Sequence, residues 1–200
     1  MRELWYQLRW ALPLWVIGLL TNWLPENRIT LRFRGSLTRP FLSRCGRNFQ
    51  LGAYVTLRET HRMEVGNDVY IARGGWMDAT GGLTLEDEVV LGPYVVISTS
   101  QHVFRDGSVR FGGNIARPVV VGRGTWIGAH ASVKCGTGIG KGTLVGANAF
   151  VARDLPDQVI VGGVPARIIK PNEDRVAEFH SRQDYERFLT RVRDASEEAD

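Results

Sequence analysis

Val121-Gly-Arg-Gly-Thr-Trp-Ile-Gly-Ala-His-Ala-Ser-Val-Lys-Cys-Gly-Thr-Gly-Ile-Gly-Lys-Gly-Thr-Leu-Val-Gly-Ala-Asn-Ala-Phe-Val151 repeats a six-residue unit. Val121, Ile127, Val133, Ile139, Val145 and Val151 stand six apart, and all are β-branched aliphatics. The next position reads Gly122, Gly128, Lys134, Gly140, Gly146 and Ala152, mostly minimal side chains. The fifth position reads Thr125, Ala131, Thr137, Thr143, Ala149 and Leu155, again mostly small. A period of six is neither the 3.6 of a helix nor the alternation of a plain strand. It suits a strand of a few residues and then a bend, with the aliphatic pointing inward and the small residue letting the backbone turn. Three units, about eighteen residues, close a triangular coil, and coils stack about 4.8 Å apart. The stacked aliphatics then fill a narrow core that no single repeat could bury alone.

Working outward, the pattern continues toward the N-terminus with breaks. Cys45-Gly46, Leu51-Gly52 and Leu57 are followed by Val65-Gly66, Ile71-Ala72 and Met77, then by Leu85-Glu86, Leu91-Gly92 and Ile97-Ser98. The steps from Leu57 to Val65 and from Met77 to Leu85 are eight rather than six, so two extra residues fall at corresponding corners. A non-repeating loop, 103–118, separates the two repeat runs. The fold expected is an all-β solenoid over residues 45–171, with an apolar and basic helical segment at 1–44 and a helical cap at 172–200.

The composition agrees with one domain carrying short appendages. The chain has 200 residues, 44% hydrophobic and 23% charged, which excludes a fully disordered chain. Glycine is abundant at 23, but it does not recur every third residue, so collagen is excluded. Two cysteines outside any C-x-x-C pair build no disulfide scaffold. The net charge of +4 is unevenly spread: residues 1–50 hold eight Arg against Glu3 and Glu26, whereas 171–200 hold five Arg against nine acids. No helix-turn-helix, zinc or RNA-binding signature accompanies the basic head, so nucleic acid is not an expected partner.

The uncharged run Trp10 to Leu20 is eleven residues long, short of the roughly 20 a membrane span needs. Arg9 and Pro13 interrupt it further, and no small-x-small cleavage site follows. Trp5, Tyr6, Trp10, Trp15 and Trp23 are residues of the kind found at a membrane–water boundary. The six arginines from Arg28 to Arg47 would each gain about 1 kcal/mol near an anionic leaflet. Two readings stand: an interfacial or re-entrant anchor at the inner face of the cell membrane, or a helix packed on the protein itself or on a partner subunit.

Three further stretches carry a resemblance. They are Val89-Val-Leu-Gly-Pro-Tyr-Val-Val-Ile-Ser-Thr-Ser-Gln-His102, Pro118-Val-Val-Val-Gly-Arg-Gly-Thr-Trp-Ile-Gly128 and Val161-Gly-Gly-Val-Pro-Ala-Arg-Ile-Ile-Lys170. With the hexads, they resemble the hexapeptide-repeat acyltransferases, in particular the sugar O-acetyltransferase branch of maltose, galactoside and polysaccharide-modifying enzymes. The resemblance implies a left-handed parallel β-helix, an exception to the usual right-handed crossover. It also implies a homotrimer with sites in clefts between subunits, and acetyl-coenzyme A as donor.

Acyl transfer to a hydroxyl needs a base, because a hydroxyl is a weak nucleophile near neutral pH. Histidine, with a pKa near 6.5, suits that role. His102 ends a repeat run and opens the loop, a rigid platform beside a segment able to shape a pocket. The family's catalytic histidine falls at this position. His61 lies in the irregular link between coils and could border the acceptor site. His130 lies within a repeat and His180 in the C-terminal segment. Four scattered histidines without ligand spacing make no zinc site.

The family pattern transfers donor contacts to Ala129, Ala147, Ala152 and Arg153, then to Arg167 and Lys170, the cations suiting the phosphates of the coenzyme. Ala72 stands where maltose-type and galactoside-type enzymes carry an acceptor-holding Asn. That departure leaves Arg73, Trp76 and Asp78 as acceptor candidates. Together with the apolar N-terminus, it points to a polymeric or lipid-linked glycan at the membrane surface. The competing readings are an N-acetyltransferase of an amino sugar and a non-enzymatic hexapeptide protein. A carbonic anhydrase of similar fold would need three ligand histidines at coil spacing, which are absent.

Overall fold

The computed structural model describes residues 2–173 and Arg187. Three strands make each coil. The first coil is β1 (Arg44–Cys45), β2 (Gln50–Leu51) and β3 (Thr56–Arg58). The second is β4 (Met63–Val65), β5 (Tyr70–Ile71) and β6 (Trp76–Asp78), and the third is β7 (Leu83–Leu85), β8 (Val90–Leu91) and β9 (Val96–Ser98). A hairpin of β10 (Ser100–His102) and β11 (Asn114–Ala116) then leaves the column. The fourth coil is β12 (Val119–Val121), β13 (Trp126–Ile127) and β14 (Ser132–Val133); the fifth is β15 (Gly138–Ile139), β16 (Leu144–Val145) and β17 (Phe150–Val151). β18 (Val159–Gly162) begins a partial sixth coil, and β19 (Arg167–Pro171) folds back on it antiparallel.

The strands stack into three parallel faces, ordered β1-β4-β7-β12-β15, β2-β5-β8-β13-β16-β18 and β3-β6-β9-β14-β17. The fold is a left-handed parallel β-helix. Register follows the hexads: Val121 lies between Leu85 and Ile139, Ile127 between Leu91 and Val145, and Val133 between Ile97 and Val151. All of these aliphatics are buried. The eight-residue steps appear as expected. Arg44 pairs with Glu64 and Glu64 with Thr84, twenty residues apart, whereas Val120 pairs with Gly138, eighteen apart. The surplus residues lie at the corner that follows the third face, as the turn Thr60–Arg62 and the turn Ala79–Gly82.

The small residues answer two steric demands. A Cβ on Gly128 would lie 2.7 Å from the Ala147 nitrogen of the next coil, a clash that only glycine avoids. Three residues past Ile127, Val133, Ile139 and Val145, the corner residue is left-handed: His130, Gly136, Gly142 and Asn148 have φ of 59°, 74°, 60° and 59°. Two of the fifth-position threonines are buried with partners, Thr125 Oγ1 donating to the Gly140 carbonyl (2.7 Å) and Thr143 Oγ1 to that of Pro156 (2.8 Å).

At the N-terminus, α1 (Arg2–Tyr6), a π-helical stretch (Gln7–Ala11) and α2 (Leu12–Thr21) run on without a break in the chain's helical path. Pro13 was expected to interrupt this segment, yet the helix passes through it. A proline ring clashes with the carbonyl four residues back, and the wider π turn just before it, closed by Leu12 N–H on the Gln7 carbonyl, relieves that contact. No helix among the described residues is long and apolar enough to cross a membrane. α3 (Arg28–Thr38) starts at a capping box: Asn27 Oδ1 accepts from the Ile29 and Thr30 nitrogens, and Thr30 Oγ1 accepts from the Asn27 nitrogen.

α3 lies against the first coil so closely that a Cβ on Gly35 would overlap the Phe49 carbonyl. One buried cation ties the helices to the column. Arg34, 1% exposed, donates to the carbonyls of Thr21, Leu24 and Leu51 and lies 3.6 Å from Glu26, whose carboxylate accepts the Ala53 N–H. The helical cap expected over 172–200, with His180, lies outside the described residues apart from Asn172, Glu173 and Arg187. Replacing Arg34 by Met removes the donor set while keeping the stem. Urea denaturation is expected to show a loss of about 3 kcal/mol with an unchanged m-value.

Candidate active site

The prism has three vertical edges. The edge between the third and first faces holds the hairpin, so His102 stands there, between the third and fourth coils. His102 pairs with Asn114 across the hairpin, its side chain exposed. The base of the hairpin is closed by Arg117 N–H on the Thr99 carbonyl (2.9 Å), directly over Gly81.

Asp78 fixes the start of β10. It is 3% exposed, and Oδ2 accepts from Ser100 Oγ at 2.7 Å while Oδ1 accepts from Thr80 Oγ1 at 2.6 Å. Thr99 Oγ1 donates to the Asp78 carbonyl (2.8 Å). Asp78 thus holds the strand that carries His102, two residues before the imidazole. Sequence reasoning marked Asp78 as an acceptor contact; within the chain its oxygens meet Ser100 and Thr80. Ser100 and Thr80 were not foreseen, since isolated hydroxyl residues carry no pattern of their own. Gln101, beside His102, is met by Cys135 Sγ at 3.4 Å.

The other candidates divide between edges. Ala152 and Arg153 follow β17 on the His102 edge, two coils beyond the hairpin, where Lys134 and Arg117 also lie exposed. Arg117 packs over Gly136 on that edge. Ala129 and Ala147 occupy successive coils of a different edge, between the second and third faces. The segment between β18 and β19 reaches that edge as well, through the Phe150 N–H on the Gly163 carbonyl and the Ala166 N–H on the Phe150 carbonyl. Arg167 and Lys170 are exposed on β19. One chain therefore brings together His102, Ala152 and Arg153 along one edge, and leaves Ala129 and Ala147 on another.

Trp76 projects from the third face, 41% exposed, with the Arg58 guanidinium 5.9 Å from its ring. Arg73 belongs to the second-to-third edge, over Tyr54 at 4.7 Å, away from the hairpin. His130 stacks parallel on Tyr94, the equivalent corner one coil below (5.1 Å). His61 lies in the turn Thr60–Arg62 on the His102 edge, its ring 5.5 Å from Trp10 and 6.2 Å from Tyr6. Burial raises the Tyr6 hydroxyl pKa above its ordinary value, partly offset by the hydrogen bond it accepts from the Glu59 N–H. No group of three metal-ligating side chains occurs among the described residues.

Removing the Asp78 carboxylate should free the hairpin without unwinding the column. In Asp78→Ala, hydrogen exchange of the amides in 100–102 and 114–116 is expected to accelerate about tenfold, near 1.4 kcal/mol of local opening, while amides of the fourth and fifth coils keep their protection.

No protein-family model matches the chain. Its sequence is 26% identical to the galactoside O-acetyltransferase of Escherichia coli K12 over 147 residues, 74% of this chain and 72% of that one. It is 27% identical to the putative colanic acid biosynthesis acetyltransferase WcaF of the same organism over 164 residues, 82% of this chain and 85% of that one. Among solved structures, a hexapeptide-repeat acetyltransferase of Vibrio cholerae O1 biovar eltor complexed with acetyl coenzyme A superposes with a TM-score of 0.71 at 24% identity, covering 81% of this chain and 86% of that one. A six-residue period wound into this three-faced column gives the chain the fold of that hexapeptide-repeat acetyltransferase, and its sequence is similar to acetyltransferases along most of its length.

Proposed function

We propose that the protein transfers an acetyl group from acetyl-coenzyme A to a hydroxyl of a glycan, a cell-surface polysaccharide or a lipid-linked saccharide intermediate, with His102 as general base. The observation that carries this reading is the placement of an exposed imidazole on a hairpin anchored by a buried carboxylate, at an edge lined above by Arg117, Lys134 and Arg153. The relatives add that O-acetylation of sugars is chemistry practised on this fold.

The steps balance with this chain's residues. The imidazole takes the proton of the acceptor hydroxyl as the oxygen attacks the thioester carbonyl carbon. The tetrahedral oxyanion collapses, the carbon–sulfur bond breaks, and the imidazolium returns its proton to the departing thiolate. The products are an O-acetyl ester and free coenzyme A. The cations of the His102 edge suit the phosphates of the donor, and the edges of the coils offer backbone amides to its extended arm.

A homotrimer completes this site. Ala129 and Ala147 can face the His102 edge only across a boundary between copies. The outward rows of the second and third faces carry Val90, Trp126, Trp76 and Val96, 36–49% exposed, an apolar surface suited to such a boundary. The exposed apolar side chains of α1 and α2 and the basic residues beyond them favour a location peripheral to the inner membrane face.

Three measurements follow. Sedimentation should give three times the 22.4 kDa chain mass. Thiol release from acetyl-coenzyme A should depend on added glycan. His102→Ala should lower that rate by ~10²–10⁴ with the trimer intact; an unchanged rate removes His102 from the mechanism.

A further inference from the structure

A groove of about 1480 Å³ runs between the N-terminal helices and the third face of the first coil. Its floor is Val55 and Leu57, which also pack on the core. Its wall is Trp10, Leu14, Trp15 and Leu19, with Trp15 and Leu19 more than 60% exposed. At one end His61 packs against Trp10 and Tyr6, and Glu59 lies 3.7 Å from the imidazole. Arg58 and Arg62 line the same end, exposed and held by no carboxylate among the described residues.

That end lies on the His102 edge. Arg62 Nη1 donates to the Thr80 carbonyl (2.6 Å), Thr80 donates to Asp78, and Asp78 accepts from Ser100 on the strand of His102. The turn holding His61 and the hairpin are two coils apart, a rise of about 10 Å at ~4.8 Å per coil.

We propose that this groove is a subsite for the hydrocarbon chain of a lipid-linked saccharide, with Arg58 and Arg62 taking its phosphate and the saccharide extending along the edge to His102. The proposal deepens the glycan-acetylation reading and rests on it. Apolar walls left open to water favour a hydrocarbon chain, with each buried methylene contributing about 0.8 kcal/mol. The two guanidiniums at one end match the charge of a phosphate at the head of such a chain, which commits the groove to an anionic lipid.

Four of the six tryptophans line the groove, so their fluorescence reports on it. The test titrates the full chain with bromododecyl phosphate and bromohexyl phosphate, whose bromine quenches indole emission on contact. Binding is expected to be at least tenfold tighter for the longer chain. Gly18→Leu, which fills the groove from α2, should abolish that preference, and Arg58→Ala with Arg62→Ala should weaken both probes about fivefold. Equal affinity for the two chain lengths in the wild-type protein overturns the proposal, whatever the variants do. So does quenching confined to brominated phosphatidylglycerol vesicles, which would make the groove a bilayer contact. Thiol release with a soluble glycan, lost in His102→Ala, separates the outcomes: if it persists while chain-length selectivity is absent, only the groove assignment falls, and if it is absent while selectivity holds, the acetylation reading falls.

Discussion

Every part of this molecule depends on how closely one coil's backbone lies on the next. Parallel strands hydrogen-bond at about 4.8 Å, and at the corners the chain has to turn within that spacing. A Cβ on Gly122 or Gly128 would come within 2.6 or 2.7 Å of a backbone nitrogen in the following coil. Small residues at those positions let the stack close, and the stack in turn buries the Val and Ile columns that no coil could bury alone. The same spacing puts Asp78 and Ser98 in register, and Ser100 within reach of the Asp78 carboxylate.

The column was the legible part, because it is periodic. Val121 through Val151 specify inward and corner positions six residues at a time, and the eight-residue steps at Leu57 and Met77 mark corners that are wider. The helices were less legible. Pro13 reads as a breaker, and only the preceding π turn, which leaves no mark in composition, lets the helix continue. Arg34 reads as one more basic residue of the head, yet it is buried among three carbonyls and a carboxylate. Such a role depends on where Thr21, Leu24 and Leu51 come together, which a linear pattern does not encode.

At the site, the same division holds. His102 could be singled out because it stands where the repeat stops. Asp78 could be singled out as a carboxylate one coil below, but its partners Ser100 and Thr80 are distant in pattern and adjacent only through stacking. The donor residues illustrate a further limit. Ala129 and Ala147 occupy one edge and Ala152 and Arg153 another, a separation that appears only once the three faces are assigned.

The hairpin leaves the column between β9 and β12, and Val119 to Val121 still pair in register with Leu83 to Leu85 below. Apart from Ser100, Gln101 and Arg117, which touch the column, the segment between Thr99 and Pro118 is therefore an excursion outside the register of the scaffold. Loop-closure entropy rises only logarithmically, by about 0.6 kcal/mol for each doubling of length. This junction is consequently a port through which segments of quite different size can be exchanged, letting a redesigned excursion alter which molecules are admitted while the winding beneath stays as it is.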